Sequence, residues 1–242
     1  VYTILKQKKL SEIKNDFINN MTHEFKTPIS TISLACQALN DNDINKTPEL
    51  YDSYVKVINE ENTRLGSMAE KILQTAILDK GQLKLNYETF DIHQIVADMV
   101  KKAGIQVEIK DGKILTDFQA DPSEIIGDKM HITNIINNLL DNANKYSPQK
   151  PQIYVATTNN KNGVTISIQD NGIGISKANQ KKIFDKLYRV TSGDLHDFKG
   201  FGLGLSYVKA IVDAHGGEIK LESELKKGTK FDVFLPYNSV KS

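Results

Sequence analysis

From residue 10 onward, apolar side chains return every three or four positions: Leu10, Ile13, Phe17, Met21, Phe25, Ile29, Ile32, Cys36 and Leu39. That spacing marks one face of an α-helix, so the pattern predicts a long first helix with a continuous apolar seam that buries Cys36. The polar run NDNDINK, residues 40–46, interrupts it. Thr47, Pro48 and Glu49 then supply an N-cap, a proline suited to the first helical position, and an acid facing the positive end of the helix dipole. A second stripe, Tyr54, Ile58, Leu65, Met68, Ile72 and Ala76, carries a second helix to about Leu78, with Gly81 just beyond. The short connection makes the pair an antiparallel hairpin. One hairpin buries too little to stand alone, and two from a homodimer would form a four-helix bundle.

Beyond Gly81 the periodicity changes to short runs of strand character: LKLNY, QVEI, QIYVAT, VTISIQD, GEIKLES and TKFDVFLP. Helical stretches near 91–103, 128–145, 176–184 and 203–214 alternate with them. The expected fold class is therefore a helical hairpin followed by an α/β domain of roughly 155 residues, a usual domain size. The expected boundaries are 1–80 for the hairpin, a linker at 81–88 within a hinge region 79–88, and 89–242 for the second domain. Folding the hairpin about residue 43 sets the level of His23 opposite Arg64.

Composition narrows the possibilities. With 31 basic and 30 acidic residues the net charge is +1, so no overall field recruits nucleic acid, and none is expected as a partner. The single cysteine excludes an internal disulfide and fits a reducing compartment. No run approaches the about 18 apolar residues that span a bilayer, so the chain is expected to be soluble as given. VYTIL followed by Lys6, Lys8 and Lys9 nevertheless has the character of the cytoplasmic end of a membrane span, anchored through an upstream segment, and equally that of a frayed helix start.

Several segments carry candidate chemistry. In GFGLGLSYVKAIV, Gly200, Gly202 and Gly204 precede an apolar helix whose N-terminus could face phosphate, yet the spacing is neither that of a P-loop nor that of a Rossmann turn. DNGIGI, residues 170–175, ends a strand with an acid and two glycines. NIINNLLDNANKYS places Asn138 and Asn142 one helical turn apart, ahead of Lys145 and Tyr146, so two uncharged amide oxygens could meet a hydrated Mg²⁺. Each segment alone also reads as an ordinary turn or a solvated helix face. In THEFKTP, His23 stands two residues from both Met21 and Phe25, off the seam and toward solvent. A neutral imidazole there offers a nucleophilic nitrogen. Pro28 cannot donate to the Glu24 carbonyl, and a bend one turn beyond His23 is expected.

Taken together and in this order, the segments resemble the cytoplasmic core of the sensor histidine kinases of two-component signalling. THEFKTP resembles the H-box, NNLLDNANKYS the N-box, DNGIGI and GFGLGL the two glycine boxes, KIFDKLYRV the F-box, and GTKFDVFLP the closing strand motif. Leu187 departs from the pattern, standing where an aromatic residue is common. The resemblance implies an ATP-binding domain of the histidine kinase and gyrase type, with ATP and Mg²⁺ as cofactors. Asp170 would accept a hydrogen bond from the adenine amino group, and Gly172 and Gly174 would let backbone approach the base. Asn142 would hold Mg²⁺ with Asn138 close by, Lys145 and Arg189 would face the phosphates, Tyr146 would line the nucleotide, the segment from about Asp185 to Gly200 would be a mobile lid, and Gly200, Gly202 and Gly204 would bind the cofactor ahead of the helix that follows. His23 would be phosphorylated, Glu24 could accept a hydrogen bond from its other ring nitrogen and fix the tautomer, and Thr27 would orient water in a phosphatase reaction, the alternative being a threonine that bonds only its own helix backbone. The implied partners are a second copy, joined through the hairpin, and the receiver domain of a response regulator. The implied setting is the cytoplasmic portion of a bacterial inner-membrane protein. Two other readings compete. An ATP-hydrolysing relative of gyrase places a glutamate one turn before the Mg²⁺ asparagine, where this chain has Asn138, which cannot take a proton from water. A catalytically dead scaffold would not need His23, Asn142 and Asp170 intact.

Overall fold

The structure, a computed structural model, describes residues 2–40, 47–79, 83–188 and 202–238. The chain divides into two compact units, the helical hairpin and an α/β domain. Among the described residues no helix is long and apolar enough to cross a membrane.

The hairpin consists of α1 (Tyr2–Leu39) and α2 (Pro48–Asp79). Pro48 opens α2 as its sequence position predicts, and the Leu50 and Tyr51 N–H groups donate to the Thr47 carbonyl at 3.0 and 3.2 Å. α1 continues without interruption through Pro28. Tyr54, Ile58, Leu65 and Met68 of α2 lie on its covered side, as do Phe17, Met21, Phe25, Ile32 and Leu39 of α1. The α1 seam is nevertheless not the one expected. Among its described side chains the buried positions are Pro28 and Ala35, whereas Ile29 and Cys36 are exposed. Ile29 and Cys36 sit one residue, about 100°, further round the helix, and a single partner helix covers only a narrower stripe.

The second unit runs β1 (Glu88–Asp91), α3 (Ile92–Glu108), β2 (Lys113–Phe118), β3 (Glu124–Gly127), α4 (Lys129–Lys145), β4 (Gln152–Asn160), β5 (Gly163–Asp170), α5 (Lys177–Gln180), α6 (Gly204–Ala214), β6 (Glu218–Glu224) and β7 (Gly228–Pro236). Its main sheet has the order β2-β4-β5-β7-β6, with β2 parallel to β4 and the other pairs antiparallel. β1 and β3 form a separate antiparallel pair. Alternation sends Ile153 and Val155, Val164, Ile166 and Ile168, and Phe231, Val233 and Leu235 inward. They meet Ile132, Ile135, Ile136, Leu139 and Leu140 of α4 and Val208, Ile211 and Val212 of α6, giving a two-layer core.

Three expected elements differ. LKLNY carries no regular structure, and the first strand begins at Glu88. QVEI is the last turn of α3, because Val107 continues the buried face of Ile92, Ile95 and Val96 at helical spacing. The chain then reverses at Asp111, with φ at 56°, and the strand is Lys113–Phe118, whose edge position and exposed Lys113, Leu115 and Thr116 hide its alternation. Of the helix expected at 176–184 only Lys177–Gln180 is helical.

Asp128 caps α4 and fastens the start of the domain to it. Its Oδ1 accepts the His131 N–H at 3.0 Å, and its Oδ2 accepts the Asn86 N–H at 2.8 Å. Its own N–H donates to His215 Nε2 at 3.0 Å, so the other ring nitrogen carries the proton and donates to the Ile211 carbonyl at 2.8 Å. Burial holds the His215 pKa below its ordinary value, in keeping with this neutral ring. The Tyr87 ring stands 5.8 Å from that imidazole. Asn86 and Tyr87 are thus tied into the α/β unit. Asp128→Ala should lower the stability of this unit by roughly 1–3 kcal/mol, since it removes a cap and strands two donors. An unchanged urea-denaturation midpoint would contradict the clasp.

Candidate functional site

α4 has two faces. Its apolar residues enter the core, and Asn138, Asn142 and Lys145 lie on its half-buried side. The Asn138 Nδ2 donates to the Asn134 carbonyl at 2.8 Å, leaving its Oδ1 as the available acceptor. That oxygen lies against Gly204, the first residue of α6, where a Cβ would stand 2.9 Å from it. The second glycine box and the N-box thus meet at this point. A bond of 2.7 Å between His131 Nδ1 and the Tyr207 hydroxyl joins the same two helices.

The loop that follows β5 is fixed to the end of α4. The Ile173 N–H donates to the Tyr146 carbonyl at 3.0 Å, and Gly172 packs so closely that any Cβ would strike that carbonyl. Gly174 takes φ of +68° and lies against the Glu224 carbonyl, a position that also requires glycine. The Lys145 ammonium sits 4.8 Å over the Tyr146 ring and 3.3 Å from its hydroxyl.

Asp170 lies between these segments, 8% exposed. Its Oδ1 accepts two backbone N–H groups, from Gly172 at 2.8 Å and Thr229 at 3.2 Å. Burial is the larger influence, and it pushes the carboxyl up to about 6, against the pull of those two donors. With Oδ1 occupied, Oδ2 is the oxygen left for a ligand's donor. Sequence reasoning did not single out Thr229, whose N–H completes this holder, although the GT step that opens the closing strand was its signal. It also passed over Ser147, a buried hydroxyl beside Gly172 that has no hydrogen-bond partner within the protein.

The hairpin carries the remaining candidates. His23 is exposed on α1. The expected register holds, for Glu24 faces Arg64 of α2, Oε2 to Nη2 at 3.5 Å. The Thr27 hydroxyl donates to the His23 carbonyl at 3.4 Å, longer than the equivalent bonds of Thr22, Thr31, Thr63 and Ser67 to the carbonyls four residues before them, at 2.8 to 3.1 Å. Arg189 and Gly200 lie outside the described residues, and Gly202 precedes α6.

The surroundings of Asp170 would suit an adenine ring: a buried carboxylate with one oxygen left over, beside a loop that Gly172 and Gly174 let pack tightly against the Tyr146 and Glu224 carbonyls. Among the described residues no group of three or more His, Cys, Asp or Glu side chains could hold a metal ion. The amide oxygens of Asn138 and Asn142 suit a hydrated Mg²⁺ that takes its remaining ligands from phosphate and water.

Comparison with known proteins agrees with this division. Residues 13–81 match the His Kinase A (phospho-acceptor) domain, and residues 127–239 match the Histidine kinase-, DNA gyrase B-, and HSP90-like ATPase family. The chain belongs to the sensor histidine kinases and carries their catalytic core. It is 50% identical to Sensor protein RprX of Bacteroides fragilis over 240 residues, which is 98% of this chain and 46% of that protein. It is 30% identical to Sensor protein SrrB of Staphylococcus aureus over 227 residues, 94% of this chain and 39% of that one. The chain thus spans less than half the length of these curated relatives. In fold it is similar to the Acinetobacter baumannii histidine kinase AdeS, with a TM-score of 0.62 at 21% identity, covering 89% of this chain and 98% of that one. It is also similar to histidine kinase ThkA in complex with response regulator protein TrrA, with a TM-score of 0.64 at 20% identity, covering 98% and 66%.

The raised pKa of Asp170 has a consequence for stability. The folded domain tolerates the neutral carboxyl better than the ion, so this group's contribution is complete below its ordinary value of 3.8 and is lost as pH rises through about 6. Relative to Asp170→Asn, which does not titrate, the parent should lose up to about 3 kcal/mol between pH 4 and pH 8. Parallel stability curves for the two proteins in urea would contradict the buried placement.

Proposed function

We propose that this chain phosphorylates its own His23 from ATP and passes the phosphoryl group to an aspartate in the receiver domain of a response regulator. The observation that carries the reading is Asp170: a buried carboxylate with one oxygen held by two backbone donors and the other left for an amino group. Adenine presents an amino group to such an acceptor, whereas guanine presents a carbonyl.

In the first step a lone pair on one His23 ring nitrogen attacks the terminal phosphorus of ATP. The nitrogen–phosphorus bond forms, the bond to the bridging oxygen breaks, and its electron pair leaves with ADP. The proton on the other ring nitrogen passes to Glu24. Mg²⁺ held through Asn142 and Asn138 would neutralise phosphate charge. Lys145 and Arg189 add positive charge along the phosphates, Tyr146 lines the nucleotide, and Gly172, Gly174, Gly200, Gly202 and Gly204 let the backbone approach it. Most of the catalytic effect is positioning and charge neutralisation, because phosphoryl transfer passes through a loose transition state.

The exposed Ile18, Ile29 and Leu34 of α1 support a homodimer, since a second hairpin would cover them. The response-regulator partner is supported by the ThkA neighbour, which was solved with one. Hydrolysis as the main reaction is disfavoured by Asn138, which carries no basic oxygen for an attacking water. Thr27 serves the reverse reaction, where its loosely held hydroxyl orients water against a partner's phospho-aspartate.

His23→Gln should abolish labelling by ATP and leave nucleotide affinity unchanged, whereas Asn142→Ala should lose autophosphorylation and still accept phosphate on His23 from an active subunit in a mixed dimer. Persistent labelling of the first variant, or normal self-labelling of the second, would contradict the assigned roles. Thr27→Ala should keep autophosphorylation and slow the decay of purified phospho-partner in the presence of ADP and Mg²⁺; equal decay rates would leave Thr27 a structural residue.

A further inference from the structure

Arg64 stands between two carboxylates. Its Nη2 is 3.5 Å from Glu24 Oε2 on the facing helix, and its Nη1 is 3.6 Å from Glu61 Oε2, one turn back on its own helix. A closed bond between a guanidinium and a carboxylate measures about 2.7–2.9 Å, so the cation is shared and neither bond is closed. Glu61 Oε2 is buried and accepts no hydrogen bond. A buried anionic oxygen without a donor is costly, which draws Arg64 toward it. The side chains of Glu24, Glu61 and Arg64 are 15%, 22% and 34% exposed, so water screens the contest only in part.

We propose that Arg64 is a positioning residue, contested by Glu61, that sets whether the Glu24 carboxylate is free to take the proton from His23. This rests on the reading of His23 as phosphoacceptor given above. While Arg64 holds Glu24, the carboxylate faces α2 and its negative charge is partly neutralised, so it is a weaker acceptor for the ring proton. When Glu61 holds Arg64, Glu24 is released to its neighbour in sequence. Glu61 and Glu24 therefore act in opposition although they carry the same charge.

The test is the initial rate of His23 phosphorylation in the complete chain at saturating ATP, measured for Arg64→Gln, Glu61→Gln and Arg64→Lys. Binding of a fluorescent ADP analogue and the urea midpoint are followed in parallel. Arg64→Gln should raise the maximal rate by about 2- to 5-fold and Glu61→Gln should lower it by a similar factor, the scale of a partly exposed ion pair. Arg64→Lys, which keeps the charge, should stay close to the parent. Nucleotide affinity should not move, and in a Glu24→Gln background both effects should vanish, as a double-mutant cycle requires. Changes in the same direction, no change, or effects that survive in the Glu24→Gln background would overturn the proposal. If Arg64→Gln proves unstable in urea, the slowing by Glu61→Gln and its loss without Glu24 still decide. A parent that does not label at His23 would instead overturn the proposed function itself.

Discussion

The α/β domain depends on the burial of α4. Ile132, Ile135, Ile136, Leu139, Leu140 and Ala143 are almost completely removed from water, and they fix the rotation of the helix about its axis. That rotation decides where Asn138, Asn142 and Lys145 stand. Burying such a row contributes roughly 1.5–3 kcal/mol per large side chain, far more than any polar contact at the site, so the apolar face sets the geometry and the polar face inherits it. The end of the helix then fixes the next segment, because the Tyr146 carbonyl takes the Ile173 N–H and leaves room for glycine alone at 172. Asp170 is held in turn by the backbone of that loop and of β7.

A second constraint is the division of labour between two units. The hairpin offers an exposed imidazole with an acid beside it, and the α/β domain offers the buried carboxylate and the glycine loops. Under the proposed function, phosphoryl transfer would draw on both sets. Asn86 and Tyr87 are bound to Asp128 and His215, so both belong to the α/β unit.

Much of this was legible in the sequence wherever one periodicity ran long enough. The two hairpin helices, the N-cap of α2, α4, α6 and the closing strand β7 all show a sustained pattern, and the level of His23 followed from counting residues to the turn. Short or marginal elements were not legible. Val107 looked like part of a strand because QVEI alternates polar and apolar residues over only four positions, too few to separate the two periods, and β2 hides its alternation at the sheet edge. Cys36 and Ile29 were misplaced because a stripe read at three-or-four spacing drifts around the helix, and only the facing helix shows where the covered side ends. The second backbone donor to Asp170 comes from Thr229, fifty-nine residues on, and only the GT step hinted at it; the tie between Arg64 and Glu24 crosses the hairpin, and counting residues gave its level but not the contact.

The most direct measurement is to locate the phosphoryl group itself. After incubation of the full chain with ATP and Mg²⁺, peptide mapping by mass spectrometry under alkaline conditions should find one adduct, on the peptide that contains His23. As a phosphoramidate it should survive alkali and disappear in mild acid. An adduct on a hydroxyl or carboxyl side chain, or release of inorganic phosphate with no adduct at all, would contradict the account.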